Sequence, residues 1–491
     1  MNRRMNRTNI LIINMAAACL LLSASCTNRP KDFSAADIEP RLSPELSGVT
    51  LPVNIAAPTF MVNEKADNYY VEIGIPGQEP AIAVSGSSAV VRPSLSKWHD
   101  LLADAAGKDI RINVYTETYG KWSHFDEVTC YVSDQPIDQF LVYRLLYPGY
   151  QSWNEIGIYQ RNLTDYTETP VLENRSIGTD HCANCHSFAG GDSETMMIHV
   201  RGKNGGTLLR RNGKTVRVDP KCPALENGAT YPSWHPSGKY IAFSANKIRQ
   251  FFHTSGTKTI EVSDLEADMI LYDVEKGESQ PVPGLNGKEW METFPTWSPD
   301  GKTLYFCRAA EYIQPEPLDS IRYGLCRISF DEKTGAWGEV ETVIDAPAEG
   351  HSISFPRVSP DGRYLLYTQS DYGNFSIWHS ESDIWLLDLT TGSTRPLDEV
   401  NSPDVESYHS WSSNGRWFVF SSKRMDGLWA RPYIASFDPS TGKAGRPFVL
   451  PQSDPLFYDS FMKTYNIPEL AISEITDTST FSDAVNAGTK E

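Results

Sequence analysis

Basic residues are in short supply. The 491-residue chain has 44 Lys and Arg against 62 Asp and Glu, a formal net charge of −18. Holding a phosphate backbone takes a positive footprint, so nucleic-acid binding is excluded as a main activity. Cysteine is scarce as well: eight residues cannot staple a chain of this size, though they suffice for one specific site. After the first 26 residues no run is long and apolar enough to span a bilayer, which takes about 20 residues. No Gly-x-Ser-x-Gly elbow is present. His253, His351, His379 and His409 are scattered, without His-x-His or His-Glu-x-x-His spacing, so the serine-hydrolase and zinc-hydrolase signatures are missing.

What is plentiful is the material of strands and tight turns. Aromatic residues make up 11% of the chain, with 34 Gly and 32 Pro, and 40% of residues are hydrophobic, enough for a sizeable core. The fold class expected is all-β.

Residues 1–26 read as a leader. Arg3, Arg4 and Arg7 precede an apolar core from Ile10 to Leu22, and Leu22-Ser-Ala-Ser-Cys26 follows. Small residues before a cysteine resemble the lipobox of bacterial lipoproteins. The resemblance implies export, lipidation of Cys26 and tethering as an outer-membrane lipoprotein facing the periplasm or the cell surface. Losing residues 1–25 would remove three arginines and no acid, making the chain more acidic still. Residues 27–48, rich in proline, read as a linker. Residues 49–170 carry alternating strands over Arg111–Tyr119, Glu127–Val132 and Phe140–Tyr147, with helical spacing over Leu95–Ala106, and read as a mostly-β domain. Its aromatic run Tyr147–Trp153 is read as an interdomain packing patch ahead of a binding surface.

Four stretches of the C-terminal half align with one another: Tyr231–Phe243, Phe294–Phe306, Phe355–Tyr367 and Tyr408–Phe420, each built as aromatic-x-x-Trp/Val, a Ser-Pro-Asp-Gly-like turn and an apolar strand. His235 occupies one of those turns. A second signature, Asp-x-x-x-Gly, follows each copy at Asp273, Asp331, Asp388 and Asp438. Four strands per repeat is a propeller blade. The repeat resembles TolB-type, WD-repeat-like β-propellers, over residues 196–472. Residues 196–219 read as a degenerate blade and Leu456–Ile472 as the segment that closes the ring, for six blades or five. Residues 473–491 read as a flexible tail, and Tyr372–His379 as a packing insertion.

Residues 171–195 contain Cys182-Ala-Asn-Cys185-His186, the c-type haem attachment pattern. Two thiols three residues apart reach one porphyrin edge, and the following imidazole binds iron. The run resembles the haem segments of exported cytochromes c. The resemblance implies covalent haem c on Cys182 and Cys185, with His186 as the proximal metal ligand. Met196, Met197 and His199 are in reach as distal ligands. A zinc site on Cys182, Cys185, His186 and His181 or His199 is the alternative, and a Cys182–Cys185 disulfide another. Cys130, Cys222, Cys307 and Cys326 are either two disulfides or buried thiols.

The function expected is therefore a lipid-anchored haem propeller for electron transfer or redox or ligand sensing, rather than an enzyme. Its partners would be the membrane, through the lipid, and an envelope protein, such as a basic redox protein docking on the acidic surface. The alternative is an envelope module that binds protein or glycan, with Cys-x-x-Cys-His as a zinc or disulfide site.

Overall fold

The computed structural model describes residues 29–487 apart from 149–151, 179, 203–204, 255–257, 259 and 314–315. The leader and Cys26 lie outside the described residues. The chain is nearly all β.

Six sheets of four or five strands follow one another in the chain and share one axis, the larger of the two blade numbers expected. Blades 2 to 6 each run outward from an innermost strand: His181–Ala189, Ala229–Trp234, Trp290–Trp297, Ser352–Val358 and Glu406–Trp411. Blade 1 is assembled from both halves of the chain. Its three outer strands are Phe140–Leu146, Gly157–Asn162 and Glu168–Glu173, and its innermost strand is Thr464–Ala471, antiparallel to Phe140–Leu146. Pairing the two halves in one sheet closes the ring and leaves no open edge between first and last blades.

This closure moves the expected boundaries. Residues 140–170 belong to the propeller, because their strands pair with the C-terminal one. Residues 29–48 are not a loose spacer: Phe33–Ala35 pairs with Trp122–His124, and Leu42 and Leu46 are buried. The tail is no free end either, since the helix Ser479–Asn486 buries Phe481 and Val485 against the outer strands of blades 1 and 2.

The N-terminal domain is a seven-stranded sheet, a three-stranded sheet and the helix Leu95–Asp104, which buries Trp98, Leu101 and Leu102. It docks on blade 6 through shared apolar core and through hydrogen bonds. Ser413 N–H donates to Asp138 (2.7 Å), Trp417 Nε1 to the Gln135 carbonyl (3.2 Å) and Thr59 to the Gln452 carbonyl (2.7 Å).

One device repeats in every innermost strand. After Thr230, Thr293, Ser354, Ser407 and Asn466 the ladder skips two residues, and the first of the pair (Tyr231, Phe294, Phe355, Tyr408, Ile467) has φ between 46 and 53°. The second is Pro232, Pro295, Pro356, His409 or Pro468. Proline is tolerated there because a bulged residue owes the ladder no N–H. Blade 2 carries the same device one residue earlier, at Asn184–Cys185, without a left-handed residue. On both sides of it the register matches the other blades, which sets Cys185-His186-Ser187-Phe188 on Tyr408-His409-Ser410-Trp411.

Blades also nest through their turns. The Gly301 turn of blade 4 lies on His235 of blade 3, whose Nε2 contacts the Gly301 carbonyl at 3.0 Å. His235 is thus an inter-blade contact as well as a turn residue. A Cβ at Gly301 (φ +70°) would stand 2.3 Å from that nitrogen. Gly301→Ala should cost about 2–4 kcal/mol in urea unfolding through backbone strain and overlap. Adding His235→Ala should return about 1 kcal/mol of that, as a double-mutant cycle would read.

Candidate functional site

The bulges aim six side chains at the axis: Cys185, Tyr231, Phe294, Phe355, Tyr408 and Ile467. Four of them form a continuous arc of rings, with centroids 4.5, 4.2 and 4.8 Å apart from Tyr231 through Phe294 and Phe355 to Tyr408. This collar divides the channel into two chambers. The collar residues Cys185, Tyr231, Phe355 and Ile467 line both.

The upper chamber, about 170 Å³, lies where the innermost strands begin. Arg144, Arg201 and Lys423 line it with the amides of Asn184, Gln250 and Asn466, and no carboxylate does so among the described residues. Arg144 is buried and held by Asn184 Oδ1 and by Asn466 Oδ1 (2.8 Å). Lys423 is only 8% exposed, and its Nζ sits 4.1 Å over the Trp378 ring. Burial pulls its ammonium down to about 8, outweighing Asp404 and Asp426. Phe375, Ile377 and Trp378 complete the wall, so the insertion read as packing faces the chamber. Blade 3 adds a long hairpin, Tyr240–Phe252 with Ile260–Asp273, whose Ile248, Gln250 and Val262 reach the mouth. Lys258 ties that hairpin to blade 5 through Glu381 (2.8 Å) and His379 (3.0 Å).

The lower chamber, about 420 Å³, opens on the Ser-Pro-Asp-Gly turns. The second residue after each collar residue faces it: Ser187, Ser233, Thr296, Arg357, Ser410 and Glu469. Glu469 Oε1 accepts the Phe188 N–H at 3.2 Å, yet burial raises its carboxyl to about 7, outweighing that bond and Arg357. His186 and His409 lie in equivalent positions. Both are buried, and desolvation with the nearby charges of Arg144 and Arg357, respectively, lowers each ring to about 3.

The haem reading does not survive this geometry. Cys182, Cys185 and His186 lie in the β-strand His181–Ala189, with the bulge between the two cysteines. Cys182 lies near Asn174 Nδ2 (3.6 Å), whereas Cys185 points to the axis as the sixth collar residue. The His186 side chain is 1% exposed, with Nε2 facing Glu469 Oε2 at 3.8 Å and Phe188 against its edge. Met196 and Met197 are fully buried on opposite sides of their strand, one in the core between blades 1 and 2, the other between blades 2 and 3. His199 lines a separate groove, contacts Thr207 Oγ1 (3.3 Å) and is lowered to about 4 by burial and Arg201. With the haem goes the reason for a redox partner.

The metal alternative fares no better. No group of three or more His, Cys, Asp or Glu side chains converges to hold a metal among the described residues. The described cysteines, Cys182 and Cys185 included, are free thiols. Cys307 and Cys326 sit on adjacent strands one register step apart and face different core clusters. The other histidines do not gather on one face. His409 is buried, His253 pairs with Glu261 (2.9 Å) and His379 with Glu381 (3.1 Å).

No family model matches the chain. An uncharacterised protein of Agrobacterium fabrum is 27% identical over 176 residues, 31% of this chain and 54% of that protein, so the chain spans about half the length of that curated relative. Among solved structures, the oligogalacturonate lyase of Vibrio parahaemolyticus covers 62% of this chain and 78% of its own, at 12% identity and a TM-score of 0.37. A puromycin-hydrolysing peptidase of Mycobacterium tuberculosis covers 62% and 46%, at 12% and 0.35. Dipeptidyl peptidase 4 of Porphyromonas gingivalis covers 62% and 46%, at 10% and 0.32. These are a lyase and two peptidases rather than cytochromes, and at such scores the likeness says nothing of this chain's activity.

Glu469 gives the lower chamber a pH signature. Its folded carboxyl holds a proton up to about pH 7, whereas the unfolded chain releases it near 4.3. The stabilisation is present below about pH 4.3 and lost as pH rises through 7. Glu469→Gln should therefore gain stability relative to wild type between pH 5 and 8, on the order of 2 kcal/mol, in urea melts at the two pH values.

Proposed function

We propose that the chain is a ligand-binding propeller whose upper chamber takes a small ring-bearing carboxylate, such as an acidic sugar or an aromatic acid. The observation that carries this is the lining. Arg144, Arg201 and Lys423 converge on one cavity without a carboxylate among the described residues, in a protein whose net charge is −18. Cations gathered against the overall charge cost self-repulsion and desolvation, which a bound anion relieves. The aromatic rings of Tyr231, Phe355, Phe375, Trp378 and Tyr408 offer faces for a flat or cyclic body, and the amides offer hydrogen bonds to hydroxyls. A cavity of about 170 Å³ admits one such ring.

The repeated Ser-Pro-Asp-Gly turns favour a TolB-type propeller as the scaffold. The lipobox-like leader favours the cell envelope as its place, which loss of palmitate labelling in Cys26→Ala would support.

Titration calorimetry with glucuronate and 4-hydroxybenzoate should show binding that weakens with salt. Lys423→Met should weaken it by about tenfold or more, since it removes a desolvated cation. Equal binding of glucose and methyl 4-hydroxybenzoate, or an unchanged affinity in Lys423→Met, would overturn the reading.

A further inference from the structure

The lower chamber poses a different problem of charge. Its layer of six residues holds four hydroxyls, one guanidinium and one carboxyl. In ring order, blades 5, 6, 1 and 2 contribute Arg357, Ser410, Glu469 and, one position earlier in its strand, His186. Arg357 and Glu469 act on each other electrostatically but are not among the ion pairs closer than 4.0 Å; the nearest charged-atom partner of Glu469 is His186, at 3.8 Å. Between the two charged residues stands Ser410, whose Oγ is buried without a hydrogen-bond partner.

His186 adds a second orphan. Its ring bonds the Val142 backbone, and Nε2 is buried with no partner. A neutral ring that gives its one proton to a carbonyl leaves the other nitrogen as an acceptor. Nε2 and Glu469 Oε2 are therefore two acceptors 3.8 Å apart, too far to bond each other and spaced for one donor to serve both. Buried polar atoms are nearly always satisfied, so orphans converging on a cavity mark the outline of something bound.

We propose that the lower chamber binds a small zwitterion, an α-amino acid with an apolar or aromatic side chain. Its carboxylate sits on Arg357 and Ser410, and its ammonium sits on Glu469 and His186 Nε2. The walls suit the side chain, because Trp234, Trp297 and Trp411 and the prolines Pro232, Pro295 and Pro360 line the chamber above its rim. About 420 Å³ lies within the usual range for a small-molecule pocket. The site is separate from the upper chamber, across the collar, and does not depend on the reading given to that chamber.

The probe is L-phenylalanine, titrated into the full chain by calorimetry and by the fluorescence of the wall tryptophans. N-acetyl-L-phenylalanine, which lacks the ammonium, and L-phenylalaninamide, which lacks the carboxylate, should each bind about tenfold or more weaker. Arg357→Gln should weaken phenylalanine by a similar factor while leaving phenylalaninamide nearly unchanged, and Glu469→Gln should do the same for N-acetylphenylalanine. Lys423→Met should leave phenylalanine binding untouched, which separates this site from the upper one. No binding at about 10 mM phenylalanine, or equal affinity for the two capped analogues, would overturn the proposal. The analogues decide the matter on the unaltered protein even where a variant fails to fold.

Discussion

A single extra residue in each innermost strand decides what the centre of this molecule can hold. The bulge turns one side chain per blade onto the axis and the next but one into the chamber below. In five blades it also forces a bulky residue to positive φ, a conformation costing on the order of 1–3 kcal/mol each. That cost is met by mutual packing: the rings touch round the axis, and each is held between neighbours that a closed ring supplies. Closure is therefore a precondition for the collar. The pairing of Thr464–Ala471 with Phe140–Leu146 both ends the ring and delivers Ile467 and Glu469 to the axis.

The same constraint explains how much could be read from residues alone. The four copies with Trp or Val after the aromatic, and Ser-Pro-Asp-Gly or its variants behind, spell out blades 3 to 6 because turn chemistry and alternation act locally. Their third positions, Ser233, Thr296, Arg357 and Ser410, were in view in that alignment. Blades 1 and 2 were legible only in part: residues 196–219 read as a degenerate blade and Leu456–Ile472 as the closing segment, but the strands they pair with did not. Blade 1 joins strands more than 300 residues apart, a pairing no local pattern announces. Its inner copy, Ile467-Pro-Glu-Leu470, lacks both the aromatic and the tryptophan.

Blade 2 hid behind a stronger-looking signal. Cys185-His-Ser-Phe188 is the homologue within this chain of Tyr408-His-Ser-Trp411, with a thiol in place of the ring and Gly190-Gly191 in place of the Ser-Pro-Asp-Gly turn. Two cysteines at haem spacing carry that meaning only where the backbone lets both thiols face one way. Here Cys185 turns onto the axis at a bulge while Cys182 lies against Asn174. The alignment with Tyr408–Trp411 was the available clue, and it needed only the Cys185-His-Ser-Phe188 run to be compared with blade 6 rather than with haem segments. The scattered histidines obscured it: His409 fills the bulge position that proline fills in four other blades, and His186, paired in the ladder just after its own bulge, takes the equivalent place.

The two chambers then differ for a reason rooted in their layers. Above the collar, cations arrive from outside the innermost strands: Arg144 lies in a second strand, Lys423 directly follows another and Arg201 stands near the end of a third. They are free to gather with one sign, and uncharged amides on the inner strands, Asn184 and Asn466, hold Arg144 in place. Below the collar, the layer of Ser187, Ser233, Thr296, Arg357, Ser410 and Glu469 comes from the innermost strands at one fixed register, so its members are a blade apart and cannot close on each other. A guanidinium and a carboxyl set two blades apart on so rigid a ring act on each other without direct contact. Each pays for desolvation without the direct pairing that normally offsets it. A ring of this kind can satisfy the two only by admitting a third party that spans the gap, which makes the lower layer a recognition element by construction rather than a piece of the core.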